Sequence, residues 1–454
     1  MAASSEEKPI EGSLFEKLGK VALNSLHETQ VPSLNCLSDI TENFEQAKEP
    51  SFRLDEVANS FRREWQQLIV LGNGFDLQCG LKSRFRDFFE PRFEKIKSVS
   101  EYGNEYWKTF ISNNGLTLWD FILRENDKSL WCDVEGTIEK WVLSAEERSK
   151  KGSIVNKAIA AIGKHPFDRT PTFSVNGRLL EEQDDEAFMF GSIARCALVN
   201  EPTFAVDERA RERFLVLLKE ELHKLEEAFK KYLKDEVSSN CYYVKKCQRL
   251  YKAIENDNKA SCDDFCVSTS VLSFNYTNLI SCFFDGGEYG TFVNIHGDLD
   301  NEIIFGIDGK ECMDNPEAVK FTKTYRLMQR GGADTENLIN TANSFNLQNA
   351  TDVIKFYGHS LGPADYSYFQ SIFDGVDLYE SNTVLVFYYP TSESEDLLEQ
   401  YDCYKTDLVN AINQLLVAYG ATMNNRDHGK NLMHKLLIEG RLFLRPILID
   451  DLEV

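Results

Sequence analysis

Leu68-Ile69-Val70-Leu71-Gly72-Asn73-Gly74-Phe75-Asp76 is the stretch of sequence that decides the fold. The apolar run Trp65–Leu71 predicts a buried strand, and this strand ends directly in a Gly-x-Gly turn. Because glycine has no Cβ, a phosphate can approach the backbone N–H groups of such a turn where the next helix begins. Leu77 stands where a full dinucleotide-binding fingerprint has a third glycine, so the stretch alone also fits a plain strand-to-helix connection.

The length and charge of the chain limit its class. The 454 residues are 42% hydrophobic, which is enough for two or three folding units or for one large α/β domain with an insertion. The 50 basic and 73 acidic residues give a net charge of −23. This charge repels phosphate backbones, so we expect no stable nucleic-acid binding.

The termini, apolar runs and cysteines point to a cytoplasmic protein. The polar N-terminus carries acidic residues, which a signal peptide lacks, and no apolar run is long enough to span a membrane. The 11 cysteines are scattered and do not have the paired spacing of a zinc site. Free thiols in a reducing compartment are the simplest interpretation.

Strand-like runs recur after the first one, with helical patterns between them. Strands at this spacing predict an α/β, Rossmann-like fold, in which a mainly parallel sheet carries helices on both faces. The predicted strands are Asp264–Phe274, Thr291–Ile295, Ile303–Ile307, Asp352–Tyr357 and Asn382–Tyr389.

The helical patterns suggest four regions. Val206–Glu236 has the clearest amphipathic spacing, and it belongs to a segment too long for an ordinary crossover between strands. We therefore predict a partly helical N-terminal arm with helices near Gly12–Leu26 and Ile40–Ala47, a core, a large helical insertion and a C-terminal helical segment. Their bounds are 1–60 for the arm, 61–89 and 266–392 for the core, 90–265 for the insertion and 393–454 for the C-terminal segment.

Polar residues follow the ends of two predicted strands. Asn275 and Thr277 come after one strand, and His296 and Gly297 come after the next. Ligands of open α/β sheets bind at the carboxyl ends of strands, and histidine is the usual general base near neutral pH. Asp76, at the end of the first strand, could bind a ribose hydroxyl or a water molecule, or cap a helix.

Two other chemistries fit parts of the sequence. Gly358-His359-Ser360-Leu361-Gly362 has the letters of a nucleophile elbow, which makes a serine hydrolase on Ser360 an alternative, with Asp377 and His428 or His434 behind it. A metal-dependent nuclease or phosphatase would need a group of carboxylates, and the candidates are Asp76, Asp298, Asp308 and Glu135.

The ordered set of these segments resembles the bacterial abortive-infection AbiH family. The resemblance implies a role in defence against phage, and it spans about residues 68 to 390. The segments that carry it are Gly72–Asp76 with Gly80–Lys82, Trp131–Glu135, Ser273–Thr277, Ile295–Gly297, Phe305–Asp308, and Tyr357–Leu361 with Asp365.

The same order is similar to a distant sirtuin-like NAD-binding core. That resemblance implies that Asn275 and His296 are the NAD-cleaving pair and that Asp76 lies in the cofactor loop. Asp76 is also a catalytic candidate, because Asp76 or Asp298 could stabilise the positive charge that develops on the sugar. The resemblance implies NAD-binding roles for Gly72, Asn73, Gly74, Phe75, Thr277, Gly297, Gly358, His359 and Ser360. The four-cysteine zinc module of sirtuins is missing here, which argues against protein deacylation and leaves NAD hydrolysis open.

These resemblances lead to a prediction about activity. We expect an abortive-infection effector that hydrolyses NAD, its substrate, to nicotinamide and ADP-ribose. The alternative is a non-catalytic module that senses NAD or ADP-ribose. A phage-derived trigger or a homo-oligomer would be the partner, and we expect no membrane association. If the insertion folds over the cleft, Glu135 could supply a further carboxylate.

Overall fold

A six-stranded sheet lies at the centre of the fold. The computed structural model describes residues 65–97, 104–126, 133–143, 154–164, 174–175, 178–179, 185–257, 267–279, 283, 290–309, 315–340, 351–424 and 429–449. All of these belong to one unit that spans residues 54–454. The predicted arm, with its helices near 12–26 and 40–47, lies outside the described residues.

The strands of this sheet are all parallel. They are β1 (Trp65–Leu71), β4 (Val267–Ser273), β5 (Phe292–Asn294), β6 (Val353–Tyr357), β7 (Val384–Thr391) and β8 (Leu442–Leu448). Their spatial order is β5-β4-β1-β6-β7-β8, so the chain builds outward from β1 in one direction and then restarts on its other side with β6. This order is the Rossmann one, and it confirms the predicted fold class. Two short antiparallel strands, β2 (Ser174–Val175) and β3 (Arg178–Leu179), form a separate hairpin.

Thirteen α-helices lie among the described residues. They are α1 (Asn73–Gln78), α2 (Phe85–Lys97), α3 (Asn104–Asn114), α4 (Leu118–Asn126), α5 (Val134–Leu143), α6 (Ile154–Lys164), α7 (Asp185–Asn200), α8 (Ala210–Ser239), α9 (Tyr243–Asn256), α10 (Lys323–Gln329), α11 (Tyr366–Gly375), α12 (Glu395–Gly420) and α13 (Leu432–Ile438). No helix in the described ranges has the length and apolar character that crossing a membrane requires.

Each face of the sheet is covered by helices because its strands are apolar on both sides. Leu68 and Val70 point into a cluster that also contains buried residues of α11, α12 and α13. On the opposite face, the buried Lys355 of β6 donates hydrogen bonds to the carbonyl oxygens of Ile254 (2.7 Å) and Glu255 (3.0 Å). These carbonyls end α9, where the helix dipole is negative, so α9 is held against this face.

The helical insertion has its own apolar core, and α8 is its central element. The side chains of Phe214, Leu218, Leu222 and Phe229 are almost fully buried, at the spacing that the sequence predicted. The indole of Trp119 in α4 donates a 2.8 Å hydrogen bond to the carbonyl of Leu218. Between residues 90 and 265 the described segments are mainly helical, and the β2–β3 hairpin supplies the strands.

The prediction of a strand at Ile303–Ile307 is wrong. Only an isolated bridge joins Ile307 to Thr322. The reason lies in side chains that occupy the backbone groups of this segment: the Phe305 amide donates to Glu226 at 2.6 Å, and Arg326 donates to the Phe305 carbonyl. A segment whose backbone groups are bound by side chains cannot pair with a neighbouring strand.

Strand β8 was not predicted, because residues 393–454 were expected to be helical. Its sequence, Leu442-Phe-Leu-Arg-Pro-Ile-Leu448, contains Arg445 and Pro446, which weaken a strand pattern. Proline is tolerated here because β8 is the edge strand of the sheet and pairs with β7 alone. The rest of this segment contains the helices α12 and α13, as its predicted helical character requires.

Candidate functional site

The candidate site lies where the strand order reverses, between the carboxyl ends of β1 and β6. Gly72 donates a hydrogen bond to the carbonyl of Tyr357 (3.0 Å), and Gly74 donates one to the carbonyl of Gly358 (2.8 Å). A Cβ on Gly72 would lie 2.4 Å from the His359 Cα, and one on Gly74 would lie 2.6 Å from the Gly358 Cα. These glycines therefore allow two strand-end loops to pack backbone against backbone.

This packing limits what the Gly-x-Gly turn offers to a ligand. The space beside both glycines is filled by the loop after β6, and their N–H groups are paired within the protein. The Asn73 side chain exchanges hydrogen bonds with Ser83, and Phe75 is buried in ring contact with Tyr357. The predicted roles of Gly72, Asn73, Gly74 and Phe75 in binding the cofactor stay predictions.

Asp76 forms a buried network of its own. Its carboxylate accepts hydrogen bonds from the Tyr243 hydroxyl at 2.9 Å and from the Thr277 hydroxyl at 3.0 Å. Burial raises the pKa of Asp76 to about 7, although the two hydroxyl groups oppose the shift. The structure thus joins two predicted site residues, Asp76 and Thr277, to each other and to α9.

A second group of polar residues, separate from the Asp76 network, consists of two histidines beside one carboxylate. His296 follows β5, His359 follows β6, and Asp365 precedes α11. The Nε2 atom of His296 lies 3.3 Å from Oδ1 of Asp365, and the Nε2 atom of His359 lies 3.4 Å from Oδ2. The amide of Leu361 donates to Nδ1 of His359 at 2.8 Å, so we assign the proton of this ring to Nε2.

His296 is neutral at physiological pH. Its side chain is 5% exposed, and burial lowers the pKa of the imidazole to about 4, with the positive charge of Lys323 acting in the same direction and Asp365 opposing it. Its Nε2 atom has no aligned hydrogen-bond partner among the described residues, despite the nearby carboxylate. This buried polar atom therefore has an unused hydrogen-bonding capacity.

A buried lysine links these groups to the helical insertion. The Nζ atom of Lys323 in α10 lies 2.7 Å from Asp365 Oδ1, 2.7 Å from Glu135 Oε1 and 3.2 Å from the carbonyl oxygen of Ala364. Burial alone would raise the pKa of Asp365, but Lys323 and His296 hold it well below its usual range. The carboxyl of Glu135 has a pKa of about 7, because burial raises it more than Lys323 lowers it.

Aromatic rings and a second unpartnered atom complete the site. The Phe274 ring lies 5.4 Å from the His296 ring and 4.4 Å from the His359 ring, so it packs against both imidazoles. Asn275 is 4% exposed, and its Oδ1 atom has no partner among the described residues. Asn275 and His296 follow neighbouring strands, but no hydrogen bond or ion pair within the described chain joins their side chains.

The turn after His296 depends on its glycine. Gly297 has a φ of +82°, and a Cβ there would lie 1.9 Å from the carbonyl oxygen of Glu302. Asp298 accepts hydrogen bonds from the amides of Asp300 and Asn301, both at 2.8 Å, which closes the turn. Gly297 and Asp298 thus set the direction in which the chain leaves the site.

The described residues show no contact that would support a serine hydrolase on Ser360. Ser360 is exposed, and the left-handed φ values of its loop belong to Gly358 and Leu361 instead of the serine. Asp377 and His434 are also exposed, and no described contact joins either to Ser360. His428 lies outside the described residues.

The four carboxylates of the nuclease alternative lie in separate networks. Asp308 accepts hydrogen bonds from the amide and hydroxyl of Ser367 at the start of α11, whereas Asp76, Asp298 and Glu135 have the partners given above. Within the described ranges, no three His, Cys, Asp or Glu side chains are grouped so that they could hold a metal ion.

Sequence reasoning missed Lys323. It follows Thr322 in a polar stretch, where a lysine is usually an exposed residue. Only the fold shows that it is 2% exposed and lies between two carboxylates. Asp365, by contrast, was found through its place in the ordered set of segments.

The strand order and the polar residues at its reversal define a Rossmann-like α/β protein with a candidate ligand site at the carboxyl edge of the sheet. A family model described as bacteriophage abortive infection AbiH matches residues 68–389, well over half of the chain. The chain therefore belongs to the AbiH family. A search of curated proteins and a search of solved structures each returned no match.

Proposed function

We propose that this AbiH protein acts in abortive infection by hydrolysing NAD at the carboxyl edge of its sheet, beside Asn275 and His296. The family match supports the defence role. The Rossmann strand order supports a nucleotide as the ligand, since such sheets bind ligands at the point where the strand order reverses. Consumption of NAD would halt the infected cell.

The observation that carries this proposal is a pair of buried polar atoms without protein partners. Asn275 Oδ1 follows β4, His296 Nε2 follows β5, and neither has a hydrogen-bond partner among the described residues. Most buried polar atoms in folded proteins have such a partner, so unpartnered ones at a sheet edge favour a ligand that supplies it. A ribose, with its ring of hydroxyl groups, fits one acceptor and one imidazole nitrogen.

The chemistry of the bond suits these neutral groups. Cleavage breaks the C1′–N bond, the electron pair passes to the nicotinamide ring, and nicotinamide leaves as a neutral molecule. A water molecule forms the new C1′–O bond and releases one proton, which yields ADP-ribose. The sugar becomes similar to an oxocarbenium ion on the way, so the protein must hold the ribose and place the water.

In this proposal, His296 binds a ribose hydroxyl instead of taking the proton. A group with a pKa of about 4 is neutral at pH 7 but accepts a proton poorly. Oδ1 of Asp365 lies 3.3 Å from Nε2 but is not aligned for a hydrogen bond, so Nε2 keeps its capacity to bind the ribose, and the Phe274 ring packs against the imidazole. The glycines at 72 and 74 give the pyrophosphate no support, because protein backbone fills the space beside them.

The proposal is tested by measuring NAD loss in His296→Gln and Asn275→Ala variants, with His434→Gln as the control. His434 is exposed on α13, so the same chemical change there should leave activity unaltered. Each site variant should slow NAD loss about 10- to 100-fold, since a lost hydrogen bond in a buried site costs about 1–3 kcal/mol.

Circular dichroism would establish that both site variants fold. Equal rates in the wild type, the control and the site variants would refute the proposal. Binding of NAD by calorimetry without any turnover would refute hydrolysis and favour the non-catalytic sensing module.

A further inference from the structure

Lys323 has an acceptor for each of its three ammonium protons. Glu135, Asp365 and the carbonyl of Ala364 surround the Nζ atom at 2.7, 2.7 and 3.2 Å. The carboxylates hold the lysine charged, since they raise its pKa above its usual value against the effect of burial. A charged lysine with three acceptors is not a nucleophile, so its role is to position the two carboxylates.

The two carboxylates differ in how completely they are bound. Asp365 receives Lys323 and both imidazoles, on both of its oxygen atoms. Glu135 contacts Lys323 through Oε1 alone, and its Oε2 has no partner in the part of the chain that the structure describes. Its side chain is 24% exposed, against 15% for Asp365. Glu135 is thus the more exposed of the two carboxylates, and its Oε2 has no partner among the described residues.

We infer that Glu135, carried by helix α5 of the insertion, is the catalytic residue that accepts the proton of the attacking water, while Lys323 and Asp365 position it. This inference rests on the proposed function, whose hydrolysis step it completes. Water gives its oxygen to C1′ of the ribose, and its proton passes to the free Oε2 of Glu135. The protonated carboxyl then returns the proton to solvent, so Glu135 ends the cycle unchanged.

The charges around Glu135 suit a proton acceptor near neutral pH. Burial is the main cause that raises its pKa to about 7, Lys323 lowers it, and Asp365 and Asp133 raise it. The Tyr276 hydroxyl also lies close enough to interact with its charge. A general base works best when its pKa lies near the working pH, so Glu135 is better matched to the task than His296, with a pKa of about 4.

This arrangement also explains why the site needs the insertion. Asn275, His296 and Asp365 come from the loops of the sheet, whereas Glu135 comes from α5. The Lys323 bridge from α10 joins the two sources, with ion pairs of 2.7 Å on either side. The insertion therefore adds a chemical group that the sheet edge lacks.

The test compares Glu135→Gln with Glu139→Gln in the full chain, with NAD as the probe. Glu139 is exposed one turn further along the same helix, so this control removes the same charge from α5. In the wild type, the rate should rise with pH through about 7, the pKa of Glu135, and level off above it, where the carboxylate form is dominant. Glu135→Gln should lower kcat about 10²- to 10⁴-fold and remove this rise, whereas the control should keep both rate and profile.

A second pair of variants separates positioning from folding. Lys323→Arg keeps a positive charge between the carboxylates and should retain part of the activity. Lys323→Met removes the charge that lowers the pKa of Glu135, so the rising part of its pH profile should move to higher pH.

The outcomes distinguish this inference from the proposed function. Glu135→Gln with the rate and pH profile of the wild type would overturn the inference and leave NAD hydrolysis standing. A wild-type protein that does not hydrolyse NAD would overturn the proposed function, and the inference with it.

Discussion

Asp76 is a carboxyl group whose protonation depends on the fold. It is buried behind Tyr243 and Thr277, and its pKa lies near 7 in the folded protein, against 3.8 for the unperturbed group. Below pH 4 the carboxyl is protonated in both states. Between about pH 4 and pH 7 the unfolded chain loses this proton while the folded protein keeps it. Raising the pH through this window therefore destabilises the fold.

Asp76→Asn should remove this pH dependence. The amide oxygen can accept from both hydroxyl groups, since Tyr243 and Thr277 both lie within 3.2 Å of Oδ1, and it does not become charged. The free energy of unfolding of the variant should therefore match that of the wild type near pH 4. Above pH 7, the free energy of unfolding of the variant should exceed that of the wild type by on the order of 4 kcal/mol, since each pKa unit corresponds to about 1.36 kcal/mol. Urea unfolding at pH 4.5 and pH 8 measures the difference. A gap that stays constant between the two pH values would contradict this account of Asp76.

Local sequence patterns selected most, though not all, of the residues of the candidate site. Asn275 and His296 were found because each directly follows an apolar run, and parallel strands end at one edge. The burial of Lys323 and its two ion pairs depend on how α5, α10 and the loop before α11 pack together. A pattern along the chain contains no information about such packing.

At the scale of elements, one buried ion pair joins the long helix α8 to the segment beside the site. Glu226 is fully buried, accepts the Phe305 amide at 2.6 Å and pairs with Arg326 of α10, with 2.7 Å between Oε2 and Nη2. Because α10 also carries Lys323, this pair helps to fix the position of the lysine between its carboxylates.

Glu226→Ala should lower the free energy of unfolding by about 3–5 kcal/mol, because it leaves the charge of the buried Arg326 without a carboxylate. Glu227→Ala is the matched control. Glu227 is the next residue of α8, it is 48% exposed, and it pairs with Lys230 at 3.7 Å, so its loss should cost about 0–1 kcal/mol. Equal losses in the two variants, measured by urea unfolding, would show that the buried pair does not stabilise this contact.

Element prediction succeeded where one local pattern determines the structure. The spacing of apolar residues in Val206–Glu236 predicted α8, and the apolar runs after residue 263 predicted four of the strands. It was wrong at Ile303–Ile307, where Glu226 and Arg326, remote in sequence, occupy the backbone groups of Phe305. It missed β8 because the pattern could not show that this strand lies at an edge, where Pro446 is allowed.

At the scale of the whole molecule, the family match and the sheet coincide closely. The match begins within β1 and ends within β7, so it contains five of the six parallel strands and the insertion between β1 and β4. Only β8 of the sheet lies beyond it. The residues of the candidate site, Asn275, His296, Lys323, Asp365 and Glu135, all fall inside the match, which places the site within the part that defines the family.

The most direct test of the central claim is to incubate the purified chain with NAD and to separate the products by chromatography. The account predicts that NAD disappears while nicotinamide and ADP-ribose appear in equal amounts. NAD that stays intact, or a product other than these two, would contradict it.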